Sequence, residues 1–163
     1  MRIFAALLAM ILGMTVGGYA MIQTLSLEDL TASAEVIAVA TLVKSDQLGE
    51  EQGFKKLANI LEIGDVLKGG LKKGDKVTIQ TLAGFEDEPI FDPRTRYMLF
   101  LQKNAAGTWA TVNLVQGAWP MEPNGTFLGM GTGTQRDVLE KTIKATMNAK
   151  PSAKPASDSD SLL

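Results

Sequence analysis

The chain has neither cysteine nor histidine among its 163 residues. Without cysteine there is no disulfide, no thiolate metal ligand, no thiol nucleophile and no lipid-modified N-terminal cysteine. Without histidine the commonest general base and the commonest transition-metal ligand are both missing. Ser26, Ser33 and Ser45 therefore have no imidazole to activate them, and no S-x-x-K pattern offers a lysine instead. Charge is close to balanced: 16 basic against 18 acidic residues leave a net charge of −2. That is not the basic footprint of a nucleic-acid binder, whose phosphate contacts need clustered Lys and Arg. Neither cofactor nor metal is expected, and no catalytic constellation is assembled.

What is present begins with an apolar leader. In MRIFAALLAMILGMTVGGYA, Arg2 precedes an uncharged run from Ile3 to Val16, and Gly18 and Ala20 stand at the −3 and −1 positions of a small-residue cleavage site. This is the pattern of a signal peptide over residues 1–20, and it predicts export to the periplasm or the extracellular space. The alternative is an uncleaved anchor, if the apolar stretch continues to Ile22. No other window is apolar and long enough to span a membrane.

The remainder reads as one domain over 21–148 followed by a disordered tail over 149–163, where Pro, Ser, Ala and charge leave little to bury. Residues 24–34 predict a short helix with Ser26 as N-cap and Asp29 three positions on. Residues 35–45 are β-rich and apolar on both sides, which predicts a strand covered on both faces. A polar loop is expected over 46–53. Residues 54–67 predict a second strand, with Leu57, Asn59, Leu61 and Ile63 on one face. A Lys72-Lys73-Gly74-Asp75 turn leads to the alternating strand 76–82. A loop over 83–95 precedes a strand at 96–102. Residues 108–121 read as one strand kinked or bulged at Gly117, and 126–130 as its hairpin partner beyond a Pro123-Asn124-Gly125 turn. Thr134 is expected to cap a final helix through Met147, with Asp137 in the capping-box position. Successive strands without long helices between them predict a mainly β fold: a small antiparallel barrel of five or six strands with a helix at each end.

One constellation is more specific. A strand ending Val66-Leu67-Lys68-Gly69 is followed by a turn at Gly74, a Val77-x-Ile79 strand, and a strand carrying Arg96, Tyr97, Leu99 and Phe100. Over about residues 25–121 this resembles bacterial secreted domains similar to tissue inhibitors of metalloproteinases and to netrin-like modules. The resemblance implies an OB-like five-stranded barrel with flanking helices. The inhibitors set an N-terminal cysteine on the protease zinc, and this chain has none, so metalloprotease inhibition is not carried over.

Candidate interaction residues lie in the loop between the third and fourth strands and near Gly117. Glu86, Asp87 and Glu88 are the densest acidic cluster, open to reading as solvated surface, as a patch for a cationic partner or as a weak calcium site. Phe85 and Phe91 flank that cluster, and Trp119 lies among Gly117 and Pro120. Aromatics beside turn-forming residues can be held partly exposed as binding anchors, or can fill the core, with Trp119 plugging the barrel end. Arg96 is open to reading as an anion contact or as an ordinary exposed strand residue. The function expected is a non-catalytic exported binding module whose partner is an envelope or extracellular protein or a small ligand. The alternatives are an envelope hydrolase using the loop carboxylates, and an anchored structural envelope protein should residues 3–22 remain in the membrane.

Overall fold

The computed structural model describes residues 23–149; the leader at 1–20 and nearly all of the tail at 149–163 lie outside the described residues. Helix α1 (Leu27–Ser33) starts as its cap predicts. The Ser26 hydroxyl accepts from the Asp29 amide at 3.0 Å and donates to the Asp29 carboxylate at 2.9 Å. One of the backbone donors left over at a helix start is thereby satisfied, and the hydroxyl that caps it is held in place by the carboxylate.

Strands β1 (Val36–Glu51) and β2 (Phe54–Lys68) form a long antiparallel hairpin. The polar stretch expected to be a loop is thus mostly strand. Only Gln52 and Gly53 turn the chain, with φ of 53° and 83°, the paired positive values of a type I′ turn. Polarity misled here because this end of the hairpin runs past the barrel, where both of its faces meet water. β1 is bulged between Leu42 and Lys44 and again between Gln47 and Gly49, so Val43 and Leu48 have no partner on β2. β1 pairs with a second neighbour only through Thr41, and the bulges interrupt the free edge beyond, where another strand would otherwise add.

β3 (Lys76–Ala83), β4 (Arg96–Lys103), β5 (Trp109–Thr111) and β6 (Ala118–Met121) complete the sheet. The ring closes in the order β1-β2-β3-β5-β4 and back to β1, with β6 added beside β4. This is a closed five-stranded barrel of OB-like order plus one strand. All pairings are antiparallel except β3–β5, which is parallel and rests on the single pair Ile79 and Trp109. The segment 108–121 is not one kinked strand. Left-handed Asn113 and Leu114 (φ 52° and 55°) break it, and a 3-10 turn, Leu114–Gly117, redirects it. Gly117 fits because a Cβ there would lie 2.5 Å from the Val112 carbonyl oxygen. The hairpin expected over 126–130 is reduced to a single bridge between Met121 and Phe127. Helix α2 (Arg136–Asn148) is capped by Gln135 rather than Thr134, without a side-chain bond. Thr134 is used in the preceding turn, its amide donating to the Gly131 carbonyl, which leaves Asp137 one place short of the capping-box position.

Two apolar layers share the same strands. Ala38, Ala40, Leu61, Ile63, Val77, Ile79, Leu99 and Leu101 fill the barrel. On the other side of β1 and β4, Ile37, Val39, Met98 and Phe100 are covered by Leu30 of α1 and by Leu139 and Ile143 of α2. Strands 36–42 and 97–101 are apolar without alternation because both of their faces are roofed. Each fully buried Leu, Ile or Phe stabilises by roughly 1.5–3 kcal/mol. Among the described residues no helix is long and apolar enough to cross a membrane.

Candidate functional site

The segment between β3 and β4 lies at the rim of the barrel and is held by its own turns. The Phe85 amide donates to the Leu82 carbonyl and the Glu88 amide to the Phe85 carbonyl; further on, the Thr95 amide donates to the Asp92 carbonyl at 3.1 Å. Between these turns Tyr97 acts as a clamp. Its hydroxyl accepts from the Asp92 amide at 2.7 Å and donates to the Ile90 carbonyl at 3.2 Å. Burial, ahead of other causes, holds the Tyr97 phenol above its ordinary range, so it remains a donor. Its ring packs edge-on to Phe91 at 5.1 Å. Arg94 reaches back to Asp92, and this pairing keeps the Asp92 carboxyl below the usual carboxylate range. The loop is also tied to the broken segment: the Val115 amide donates to the Asp87 carbonyl at 2.8 Å. The two regions singled out in the sequence are therefore neighbours.

The individual candidates have different surroundings. Phe85 is exposed and meets Phe54 edge-on at 5.6 Å; Glu86 is exposed; Asp87, Glu88 and Phe91 are half-buried. Trp119 is only 5% exposed and does not belong to the surface. Nor does it plug the barrel end. It lies in the outer layer, between Phe100 at 5.2 Å and Phe127 at 5.6 Å, with Gly131 against its ring and its indole N–H donating to the Gln116 carbonyl at 2.7 Å. A sequence position beside Gly and Pro could not show on which side of β6 the ring would fall. Glu88 enters a small pocket of about 190 Å³ beside the Lys56–Glu51 ion pair, and burial raises its pKa. Among the described residues no three acidic side chains converge as a metal site would require.

The larger feature is a groove of about 660 Å³ that joins the rim loop to the strand after the break. Ile90, Tyr97, Pro120 and Leu128 supply apolar surface, and Arg96 and Glu122 supply opposite charges. Ile90 is 79% exposed, the most exposed of the large apolar side chains described. Sequence reading passed over it, although one signal was available: an aliphatic residue between Pro89 and Pro93 has no strand in which to be buried. Pro120 and Leu128 were also missed, because their place in the groove depends on the turn at 122–126. Arg96 forms no ion pair with another described residue.

A further cavity, about 400 Å³, lies between α1 and the end of α2. At its edge the Lys68 amine donates to the Thr31 carbonyl at 2.7 Å and, at 3.4 Å, to that of Ala32. A cation there satisfies carbonyls left open at the helix C-terminus.

Fold and rim together define a small OB-like barrel roofed by two helices, with a groove of mixed character at one edge. No protein-family model matches the chain, and no curated protein matches it.

Proposed function

We propose that this protein is an exported, non-catalytic binding module that engages its partner through the rim loop and the adjoining groove. The observation that supports it most directly is Ile90. A large aliphatic side chain, 79% exposed, stands in a loop braced on both sides by turns and from below by the Tyr97 hydroxyl. Leaving such a side chain in water forgoes the roughly 1.5–3 kcal/mol of burial, which is recovered when a partner covers it. The leader sequence supports export, and the barrel order is compatible with the proposed kinship to netrin-like and metalloproteinase-inhibitor-like domains.

The hydrolase reading draws on Glu88 alone, whose pKa burial raises. Carboxylate hydrolysis uses two acids in separate roles. The acid nearest to hand, Glu51, is already bonded to Lys56 at 2.9 Å.

The test is site-specific photo-cross-linking in intact cells. A cross-linker at Ile90 is expected to give a discrete adduct that the same group at Thr78, exposed on β3 and outside the groove lining, does not give. Equal labelling at both positions, or none at Ile90, would sink the proposal. N-terminal sequencing of the same material reports whether residues 1–20 are removed, and so separates the free module from an anchored envelope protein.

A further inference from the structure

The cavity between the two helices shares no residue with the groove at the rim. Its volume, about 400 Å³, is that of a small-ligand site. Ala32, Met147 and Ala149 give it an exposed, largely apolar wall. Its polar groups are few and mostly spent. Thr146 donates its hydroxyl to the Thr142 carbonyl at 2.9 Å, and the Thr31 hydroxyl is buried out of reach of solvent. Among the described residues, Lys68 is the one charged residue of the lining. Its ammonium has three donors, of which the Thr31 and Ala32 carbonyls take two. It forms no ion pair with another described residue. A lysine that served only to close a helix end could keep its head fully in water. Here burial holds the Lys68 pKa below its ordinary value. The cation is partly stripped of water, keeps a donor in hand and has no described anion paired with it.

We infer that this cavity binds a small aliphatic monocarboxylate, its carboxylate on the Lys68 ammonium and its chain along Ala32, Met147 and Ala149. Charge selects the head. A lining with one cation and no acid complements a single negative charge. A phosphate would need several donors and finds one. The walls select the tail. A peptide would set its amides against surface that offers them no partner, and each would lose a hydrogen bond it makes in water. Methylenes need none and are taken out of water by the Met147 side chain and the two alanines. The site is separate from the rim, so it stands or falls independently of the partner proposed there.

The test is titration of the purified protein with octanoate, with octanol as the same chain without the charge and acetate as the charge without the chain, followed by calorimetry and by backbone amide shifts. Octanoate is expected to fill one saturable site with a Kd below about 1 mM. Octanol should bind at least about tenfold more weakly, and acetate should not saturate. The largest shifts should fall at Ala32, Lys68 and Ala149. Lys68→Met keeps the stem and removes the charge: octanoate should weaken about tenfold and octanol should change by less than about twofold, so that the preference between them disappears. Because Lys68 also holds α1, Met147→Glu is the second variant. It leaves the Lys68 bonds in place, sets an anion on the wall, and should weaken octanoate about fivefold with the far-ultraviolet circular dichroism unchanged. Val138→Glu, exposed on the same helix but outside the lining, should leave the octanoate Kd as it is. Absence of saturable octanoate binding, equal affinity for octanol, indifference to Met147→Glu, or shifts centred away from the two helix ends would each overturn the inference.

Discussion

The side-chain amide of Gln116 brackets the backbone of Leu25. Its Nε2 donates to the Leu25 carbonyl at 2.7 Å and its Oε1 accepts from the Leu25 amide at 2.9 Å. The same Oε1 accepts from Asn113 Nδ2 at 2.6 Å, and Asn113 donates from that nitrogen to the Gln23 carbonyl. A buried glutamine thus mimics a strand neighbour and fastens the segment leading into α1 onto the 3-10 turn. It also explains how two successive left-handed residues, Asn113 and Leu114, are tolerated: the bonds they make possible over-determine them. Gln116→Leu is expected to cost about 1–3 kcal/mol in urea unfolding, since the Leu25 N–H and C=O lose their partners. The Leu25 amide should lose its hydrogen-exchange protection before the barrel does.

Trp119→Ala should destabilise by about 3–5 kcal/mol, as for a buried aromatic, whatever partner is present. Trp119→Phe should recover part of that loss but leave the Gln116 carbonyl without its indole donor. Equilibrium denaturation of the two variants checks this. Near-wild-type stability of Trp119→Ala would contradict the burial of the ring in the outer layer.

Thr31 is fully buried in α1, and its hydroxyl has no hydrogen-bond partner among the described residues. Thr31→Val keeps the shape and removes the unpaired group. It should therefore stabilise by about 1 kcal/mol, visible as a higher urea midpoint with an unchanged slope. The Lys68 contact would persist, because it uses the Thr31 backbone carbonyl.

Burial raises the pKa of Glu88 above its ordinary 4.5. The folded chain therefore holds this proton more tightly than the unfolded one. Stability is lost as pH rises from the unfolded pKa through the folded value, and above that window the buried charge remains unfavourable. Glu88→Gln should melt at a higher temperature than wild type near about pH 7, and the two should converge below about pH 4, where both states of the wild type are protonated. A constant difference across this range would place the effect in packing rather than in ionisation.

Periodicity and turn chemistry made most of the barrel legible in the sequence. Alternation marks β3 because only one of its faces is buried. The absence of alternation marks β1 and β4 because both of theirs are. Ser26 and Asp29 announce α1 because a cap needs nothing beyond its own first turn. Where reading failed, the deciding interaction was not local. The hairpin between 46 and 53 is held by pairing across to β2, which overrides its polar composition. The break at 113–117 depends on Gln116 reaching a segment 91 positions away.

Of the candidate site, the residue types in the rim loop were readable and their roles were not. Composition alone excludes cysteine and histidine chemistry, since a missing group cannot act, and the hydrophobic pattern alone is enough to close a barrel. Which aromatic is buried, which aliphatic is left in water and which charges stay unpaired are settled by how distant segments pack. Trp119 turns inward because its neighbours on β4, Met98 and Phe100, face the helices. Ile90 turns outward because Tyr97, the first buried side chain of β4, holds the loop by its backbone and leaves that side chain free.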